Sequence, residues 1–227
     1  LPPPTSGRVD FDGVELTRLR GSALRAMRPK MQMIFQDPIS SLNPRRKVGD
    51  IVSEGLDIWG IGDRASRAEE VDAMLATVGL DPATARDRRP HEFSGGQCQR
   101  ISIARAVITE PKLIICDEPV SALDVSVQAQ ILNLLEDMKR RYGLTLVFIA
   151  HDLGVVNHFT DTTVVMYLGR VMETGVTRDV FNKPLNPYTE ALIGSVPRIG
   201  AHKRGSRRVV AVRPTQLSQR RILLAAA

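Results

Sequence analysis

Hydrophobic residues along the chain form two kinds of pattern. Short, mostly apolar runs at residues 31–36, 113–116 and 144–150 predict buried strands, of the kind found in parallel sheets with both faces covered. Elsewhere, apolar residues recur at spacings of three and four, which predicts amphipathic helices. The alternation of strand and helix predicts an α/β fold with a mainly parallel sheet.

Three segments show the helical spacing. The first is expected to begin at Ser66, an N-cap with Glu69 as its capping-box partner, and to end at Gly79. The second follows the turn at residues 94–96, and the third ends at Gly143. The apolar positions that define these helices are Val71, Met74, Leu75 and Val78, then Ile101, Ala104 and Ile108, then Val127, Ile131, Leu134, Leu135 and Met138.

Two short hairpins are predicted near the ends of this pattern. One joins residues 9–11 to residues 14–16 through an Asp-Gly turn, and the other joins residues 164–167 to residues 171–173 through a Leu-Gly turn. Residues 38–47, which follow the first buried strand, are expected to form a loop.

The formal net charge of +6 raises the question of a nucleic-acid partner. No acidic residue follows Glu190, and eight basic residues do. The rest of the chain then holds 23 basic against 25 acidic residues, so the excess positive charge lies in a C-terminal tail. Nucleic-acid binding is therefore not expected of the folded core. From about residue 199, the Arg-rich composition without acids predicts disorder or a poorly packed extension.

The two cysteines, Cys98 and Cys116, have no metal-ligand spacing and are expected to be reduced, buried or half-buried thiols. No run of residues is long and apolar enough for a transmembrane helix, and the start carries no signal-peptide pattern. We therefore expect a cytosolic protein that reaches a membrane only through a partner.

Two carboxylates follow the apolar run at residues 113–116. Ligands of open α/β sheets bind beyond the carboxyl ends of the strands, where Asp117 and Glu118 are expected to lie. Asp117 is a candidate Mg²⁺ ligand, directly or through water, because a hard cation bound with phosphates needs oxygen donors. Glu118 is a candidate to polarise an attacking water. Taken alone, the pair equally fits two solvated acids at a strand end.

A Ser-Gly-Gly-Gln turn at residues 94–97 precedes the second predicted helix. Its two glycines allow the backbone to approach an anion, and the start of the helix offers unpaired N–H groups. The Ser94 hydroxyl adds another donor. Such turns are also common in loops without any ligand.

In their order along the chain, these motifs resemble the ATP-binding cassette (ABC) family. Residues 94–97 match the family signature and residues 113–118 match the Walker B motif. Gln36 matches the Q-loop glutamine, residues 121–124 match the D-loop, and His151 matches the switch histidine. The resemblance covers about residues 1–197. It implies a P-loop NTPase-like ABC nucleotide-binding domain, α/β in class, with an inserted helical subdomain.

Further segments resemble the oligopeptide and dipeptide permease ATPases, a group that includes nickel importers. Residues 35–45 look like their Q-loop segment, residues 186–189 (Asn-Pro-Tyr-Thr) look like a later segment, and residues 4–7 look like the stretch after their first helix. The resemblance implies an ATP-hydrolysing subunit that powers an importer of oligopeptides or dipeptides, with ATP and Mg²⁺ as cofactors.

The resemblance also implies roles within one subunit. Glu118 and His151 would be catalytic, with His151 donating a hydrogen bond to the γ-phosphate. Asp117 and Gln36 would hold the metal, and Gln36 would couple nucleotide to the transporter. On the residues alone, Gln36 also fits a strand-end amide in solvent, and His151 fits a strand-end histidine without a ligand.

Other roles lie between two subunits, because two cassettes of this family enclose two ATP molecules. Asp124 would bridge to the second subunit, although it also fits an N-cap for the helix that follows. The residues that would clamp the γ-phosphate bound by the second subunit are Ser94, Gly95, Gly96 and Gln97.

The phosphate-binding loop of the family, Gly-x-x-x-x-Gly-Lys-Ser/Thr, does not occur in these 227 residues. Neither Lys30 nor Lys47 follows such a glycine loop. In the family, this loop and the first strands lie upstream of the segment that residues 4–7 match, so we expect an N-terminally truncated chain that is inactive alone. Cys98 is a smaller departure, because the signature helix usually carries a basic or polar residue there.

The expected organisation has four parts. Residues 1–36 are a remnant of the N-terminal ATP-binding core, residues 37–95 a helical subdomain, residues 96–197 a RecA-like core, and residues 198–227 a basic tail that a shifted reading frame would also explain. The expected partners are a second ABC ATPase subunit, transmembrane permease subunits and, indirectly, an extracytoplasmic peptide-binding protein. The expected location is the cytoplasmic face of the plasma membrane.

Two other interpretations remain open. The chain fits a non-catalytic remnant that pairs with a complete cassette, and it fits a soluble ABC ATPase that takes no part in transport. The segment at residues 35–45 disfavours the soluble ATPase, because it matches the importers.

Overall fold

The computed structural model of the chain describes residues 4–196 and the backbone of residues 223–226. Its strands are β1 (Asp10–Phe11), β2 (Val14–Glu15), β3 (Met31–Ile34), β4 (Leu113–Asp117), β5 (Thr145–Ala150), β6 (Thr162–Tyr167), β7 (Arg170–Val176) and β8 (Leu223–Ala226). The first two pair as a separate hairpin, and the others form one sheet in the order β3-β4-β5-β8-β6-β7.

The helices surround this sheet and form a helical segment between β3 and β4. They are α1 (Gly21–Met27), α2 (Pro38–Ser41), α3 (Val48–Trp59), α4 (Arg64–Thr77), α5 (Pro82–Ala85), α6 (Gly95–Val107), α7 (Val125–Tyr142), α8 (Leu153–Phe159), α9 (Thr177–Asn182) and α10 (Pro187–Gly194). Single 3₁₀ turns lie at Leu16–Arg18, Arg28–Lys30 and Pro90–Glu92.

The sheet is parallel across β3, β4 and β5. Crossover segments that contain α6 and α7 connect these strands, as parallel pairing requires. One face of the sheet is fully covered, so alternate residues of β4 and β5, including Ile114 and Phe148, are fully buried, and the residues between them are mostly half-buried. The predicted α/β fold with a parallel sheet is confirmed.

One continuous hydrophobic core joins the helical segment to the sheet. It includes Ile51 of α3, Leu75 of α4, Ile101 of α6 and Leu146 of β5. Helix α6 packs against both α3 and β3, so it is the element that connects the two parts. The division into a helical subdomain and a RecA-like core stays a prediction.

The start of α4 differs from the prediction. The N-cap is Asp63, whose carboxylate accepts hydrogen bonds from the amides of Ala65 and Ser66. In return, the Asp63 amide donates to the Ser66 hydroxyl oxygen. Ser66 is therefore the third helical residue of the capping box and not its first member. The predicted end of the helix at Gly79 is confirmed: the last helical residue is Thr77, and Gly79 takes a positive φ.

The segment at residues 38–47, predicted as loop, begins with the short helix α2. Asp37 caps it by accepting hydrogen bonds from the amides of Ile39 (2.9 Å) and Ser40 (3.3 Å). Pro38 occupies the first helical position, where its missing N–H costs nothing. A helix of this length shows no hydrophobic period, which explains the wrong prediction.

Part of the expected disordered tail lies in the sheet. Residues 223–226 form β8, which pairs antiparallel with β5 on one side and with β6 on the other. The prediction of disorder is wrong for these four residues, and the rest of the predicted tail after residue 196 lies outside the described residues. Strands β5 and β6 run in the same direction but are not neighbours, since β8 lies between them.

In the described ranges, 4–196 and 223–226, no helix combines the length and the apolar character needed to cross a bilayer.

Candidate functional site

The carboxyl end of β4 holds the two acidic residues, and a tight turn directs the second. Glu118 has a φ of +46°, which is unusual for a residue with a side chain. Its amide donates to the carbonyl of Ile149 (2.9 Å), and its carbonyl accepts from the Ser121 amide (3.2 Å) and hydroxyl (3.0 Å). The turn is therefore anchored to β5 on one side and to the loop after β4 on the other.

Two further side chains meet the Glu118 carboxylate. The Gln36 amide nitrogen donates a hydrogen bond to Oε2 of Glu118 (2.9 Å), and Nδ1 of His151 lies 3.1 Å from the same oxygen. The Glu118 side chain is mostly shielded at 21% exposure, whereas that of His151 is 56% exposed. The structure thus brings together three residues that the sequence predicted for one site.

The His151 ring lies beside the Glu118 carboxylate, with Nδ1 3.1 Å from Oε2. The contact is an ion pair only when the imidazole carries both protons.

A small cleft of about 50 Å³ opens beside these residues. Its lining includes Glu118, Ser121, Gln128 and His151, with Phe148 at its apolar side. The cleft places solvent-sized space directly against the candidate base and the candidate switch histidine.

The Ser94 turn begins α6 and is held by a reciprocal capping box. The Ser94 amide donates to Oε1 of Gln97 (3.0 Å), and the Gln97 amide donates to the Ser94 hydroxyl (3.3 Å). The Gln97 side chain is therefore used to close the turn. Among the described residues, no hydrogen bond joins this turn to Gln36, Glu118 or His151.

The two glycines of this turn face the first turn of α7 and the residues just before it. A Cβ added to Gly95 would lie 3.7 Å from Leu123, an ordinary contact, but one added to Gly96 would lie 2.6 Å from Cγ1 of Val127. Only Gly96 therefore needs to be glycine for packing within the chain. Asp124 lies between these contacts, at the N-cap position of α7, but its side chain makes no capping hydrogen bond.

Two oxygen donors for Mg²⁺ lie at the edge of the sheet where β3 and β4 end. Ile34 pairs in register with Cys116, so the ends of β3 and β4 bring Gln36 and Asp117 to one edge of the sheet. Gln36 uses its amide nitrogen on Glu118, which leaves its carbonyl oxygen as an acceptor, and the Asp117 carboxylate makes no ion pair or hydrogen bond within the described residues. These two oxygen donors fit a metal that takes its remaining ligands from phosphates and water.

A cluster of three or more His, Cys, Asp or Glu side chains arranged for a metal is absent from the described part of the chain.

Two protein-family models match parts of the chain. Residues 1–121 match the family described as ABC transporter. The chain belongs to the ABC transporter family. In this ABC chain, residues 172–221 also match the oligopeptide/dipeptide transporter, C-terminal region, which confirms the type indicated by residues 35–45 and 186–189.

Curated relatives of the ABC chain are about half identical to it. The oligopeptide transport ATP-binding protein OppF of Escherichia coli is 55% identical over 194 residues, which cover 85% of this chain and 58% of that protein. OppF of Haemophilus influenzae is 52% identical over 194 residues, with the same coverage of both chains. The ABC chain thus spans about three-fifths of the length of these relatives.

Solved structures confirm the predicted ABC nucleotide-binding fold. The structure of cbiO1 from Clostridium perfringens, part of the ABC transporter complex cbiONQ, superposes with a TM-score of 0.70 at 31% identity, covering 79% of this chain and 70% of the other. The dimeric ATP-binding cassette MJ0796, bound to ADP and Pi, gives a TM-score of 0.67 at 29% identity, covering 77% and 75%.

Sequence reasoning missed one set of contacts beside the site. Nη1 of Arg105 on α6 donates to the carbonyl of Ser41 (2.7 Å), the last residue of the short helix α2 that follows Gln36. The sequence shows Arg105 as a basic residue among the apolar positions of the second predicted helix. It does not show that the partner of Arg105 is the Ser41 carbonyl.

Both cysteines are free and buried, as predicted. Sγ of Cys98 lies 3.4 Å from the carbonyl of Pro90, so the thiol faces the chain just before the Ser94 turn. Burial raises the pKa of the Cys98 thiol, and it raises the pKa of Cys116 to about 12.

Proposed function

We propose that the chain is the ATP-hydrolysing part of an ABC importer of oligopeptides or dipeptides. The observation that carries this proposal is the meeting of Gln36 and His151 on one oxygen of Glu118, at the carboxyl edge of the sheet. The names of the similar curated proteins support the substrate class.

Glu118 acts as the general base of this reaction. Its carboxylate is mostly shielded from solvent, and it borders the small cleft in which a water can lie. Gln36 and His151 fix the direction of the carboxylate, so the proton of the water moves to an oriented acceptor. In phosphoryl transfer most of the rate comes from such positioning together with charge stabilisation.

Asp117 and the carbonyl oxygen of Gln36 hold the metal that accompanies the nucleotide. Mg²⁺, when bound, neutralises charge on the phosphates. The chain's own part is to present one carboxylate and one amide oxygen at the edge formed by β3 and β4.

The Ser94 turn serves a second subunit. It makes no hydrogen bond to Glu118 within the described residues, and Gly95 has room beside it, so its free N–H groups suit an anion brought by another chain. Asp124, whose carboxylate caps nothing, lies on the same side and is available to such a partner. The similar cassette MJ0796 is described as a dimer.

The chain reaches the membrane through permease subunits, on the cytoplasmic face. Residues 38–60 are the proposed coupling surface, and the exposed Ile39 and Ile58 within it, each 57% exposed, are apolar positions for such a contact. Co-purification with the permease subunits is the measurement that separates this importer from a soluble ABC ATPase.

A second candidate function is a pairing subunit that hydrolyses nothing itself. It is favoured by one structural observation: the Ser94 turn has room beside Gly95 and makes no hydrogen bond to Glu118 within the described residues. Such a subunit would still offer residues 94–97 to a complete cassette, which binds ATP with its own phosphate loop.

Release of phosphate from Mg-ATP tests both candidates, with the chain alone and mixed with a complete oligopeptide-type cassette. A hydrolysing chain loses about 10²- to 10⁴-fold in rate with Glu118→Gln, because a positioned base contributes that much. A pairing subunit responds to Gly95→Ala, which fills the turn, and not to Glu118→Gln.

Glu70→Gln on α4 is the matched control, since Glu70 is exposed and has no partner in the described residues. Its phosphate release should equal that of the unaltered chain. If neither Glu118→Gln nor Gly95→Ala changes the rate, both candidates are wrong.

A further inference from the structure

Helix α6 carries a row of polar residues on a face that is otherwise apolar. Gln99 and Ser102 are both fully buried, and Arg105 is half-buried. Their spacing of three residues places them on one side of the helix. We call these three residues the α6 polar stripe.

The α6 polar stripe faces the short helix that follows Gln36. The Ser102 hydroxyl lies 3.4 Å from the Ser41 hydroxyl, and Arg105 donates to the Ser41 carbonyl (2.7 Å). Since Asp37 caps α2 directly after Gln36, the chain from Gln36 to Ser41 is held at both ends. One end meets Glu118 and the other end meets α6.

Arg105 links α6 to the segment from Gln36 to Ser41 through its hydrogen bond to the Ser41 carbonyl. Burial lowers the pKa of Arg105, and its guanidinium uses a backbone carbonyl, with Glu54 nearby as a favourable charge. Glu54 itself pairs with Arg46 (2.6 Å), so it does not hold Arg105 in an ion pair. The Ser41 carbonyl is therefore the group that orients Arg105.

Gln99 is different, because neither its amide nitrogen nor its amide oxygen has a hydrogen-bond partner in the described residues. A buried amide left unpaired is unfavourable, and such groups are rare in native structures. Gln99 lies one turn closer to the Ser94 turn than Ser102 does, at the end of the stripe nearest that turn.

We propose that the α6 polar stripe positions the Ser94 turn according to the state of Gln36. Displacement of Gln36 moves α2, Arg105 transmits the displacement to α6, and Gln99 finds hydrogen-bond partners in the shifted arrangement. The residues of the stripe are positioning residues, since they touch neither nucleotide nor metal. The inference rests on the proposed function only in that Gln36 responds to a nucleotide.

Backbone hydrogen exchange without nucleotide tests the linkage, so its outcome is independent of ATP hydrolysis. Gln36→Ala breaks the bond to Glu118 and should raise exchange at residues 39–42 and at residues 97–98 by roughly fivefold or more, the lower end of the usual coupling between sites. In a chain that also carries Gln99→Met and Arg105→Met, the rise at residues 39–42 remains and the rise at residues 97–98 disappears.

Two further variants separate positioning from loss of structure. Arg105→Lys keeps a donor and should restore part of the response at residues 97–98. Ile101→Val also alters buried packing of α6 but leaves the stripe intact, so its response to Gln36→Ala should be unchanged. Unchanged exchange at β4 amides in every variant verifies that the core stays folded.

The proposal is overturned if Gln36→Ala leaves residues 97–98 unaffected in the intact chain. It is also overturned if the response there is equally large without the stripe. Gln99→Met alone should raise Tm by a few degrees, because it removes an unpaired buried amide. A lower Tm would mean that Gln99 already has partners and would contradict its assigned role.

Discussion

The side-chain amide of Gln36 donates a 2.9 Å hydrogen bond to Glu118, a residue 82 positions further along the chain. The register of two parallel strands explains this meeting. Ile34 pairs with Cys116, and each of the two bonded residues follows its strand partner by two positions. Any shift in the pairing of β3 with β4 would therefore separate them.

Asp37 is expected to hold Gln36 in place by capping α2. The amides of Ser40 and Ile39 bond to its carboxylate and lower its pKa, so the charged form is the cap. Asp37→Ala should lower Tm by a few degrees. It should also lower the rate of phosphate release, because Gln36 is then held less firmly against Glu118. Thermal unfolding and the phosphate assay measure the two effects.

The matched control is Asp81→Ala, because Asp81 caps the equally short helix α5, away from the site. It should lower Tm to a similar extent and leave phosphate release unchanged. Equal loss of activity in both variants would show that the role of Asp37 is only structural.

The two glycines of the Ser94 turn should respond differently to alanine. Gly96→Ala forces a contact of 2.6 Å with Val127, whose branched side chain has little freedom, so a loss of about 1–3 kcal/mol is expected. Gly95→Ala meets only Leu123 at 3.7 Å and should leave the unfolding free energy nearly unchanged. Urea unfolding of both variants measures the difference.

With a complete cassette present, Gly95→Ala should still reduce phosphate release, because the added methyl group fills the proposed anion site. A stable Gly95→Ala variant with full activity would argue against a role for this turn in a second subunit's site.

The cysteines give a simple test of burial. Neither Cys98 nor Cys116 should react with a thiol reagent at pH 8 in the native chain, and both should react in denaturant. Ile39→Cys places a thiol at an exposed position and should add one rapidly reacting group. Fast reaction of one native cysteine would mean that the turn before α6 or the end of β4 opens readily.

The meeting of Gln36, Glu118 and His151 was predicted from the resemblance to the ABC family, and its physical reason is that each follows an apolar strand run. Parallel strands end at one edge of the sheet, so residues just beyond them meet without any knowledge of loops. The start of α4 could not be predicted in the same way, since Asp63 and Ser66 are both good caps and belong to one capping box.

The α6 polar stripe could not be predicted at all. Periodicity shows which residues of α6 share a face, but it does not show that this face meets a four-residue helix from a segment expected to be loop. The partners of Arg105 and Ser102 are set by the packing of α2 against α6, and that packing depends on the cap at Asp37.

Glu173 should make the end of the fold sensitive to acid. Burial acts to raise its pKa, but hydrogen bonds from the amides of Leu185 (2.8 Å) and Asn186 (3.1 Å) outweigh it and hold the pKa below the ordinary value of 4.5. A folded-state pKa below the unfolded value stabilises the fold above about pH 4.5, and this stabilisation disappears as the pH falls through the folded-state value.

Glu173→Gln should therefore lower Tm at pH 7, and its difference from the unaltered chain should shrink as the pH is lowered from 5 toward 3. The control is Glu70→Gln, whose exposed carboxylate has no partner in the described residues and should give no difference at any pH. A difference between Glu173→Gln and the unaltered chain that stays constant with pH would mean that the two amides stabilise the uncharged side chain equally well. In that case the charge of Glu173 does not hold the start of α10 against β7, and packing alone does so.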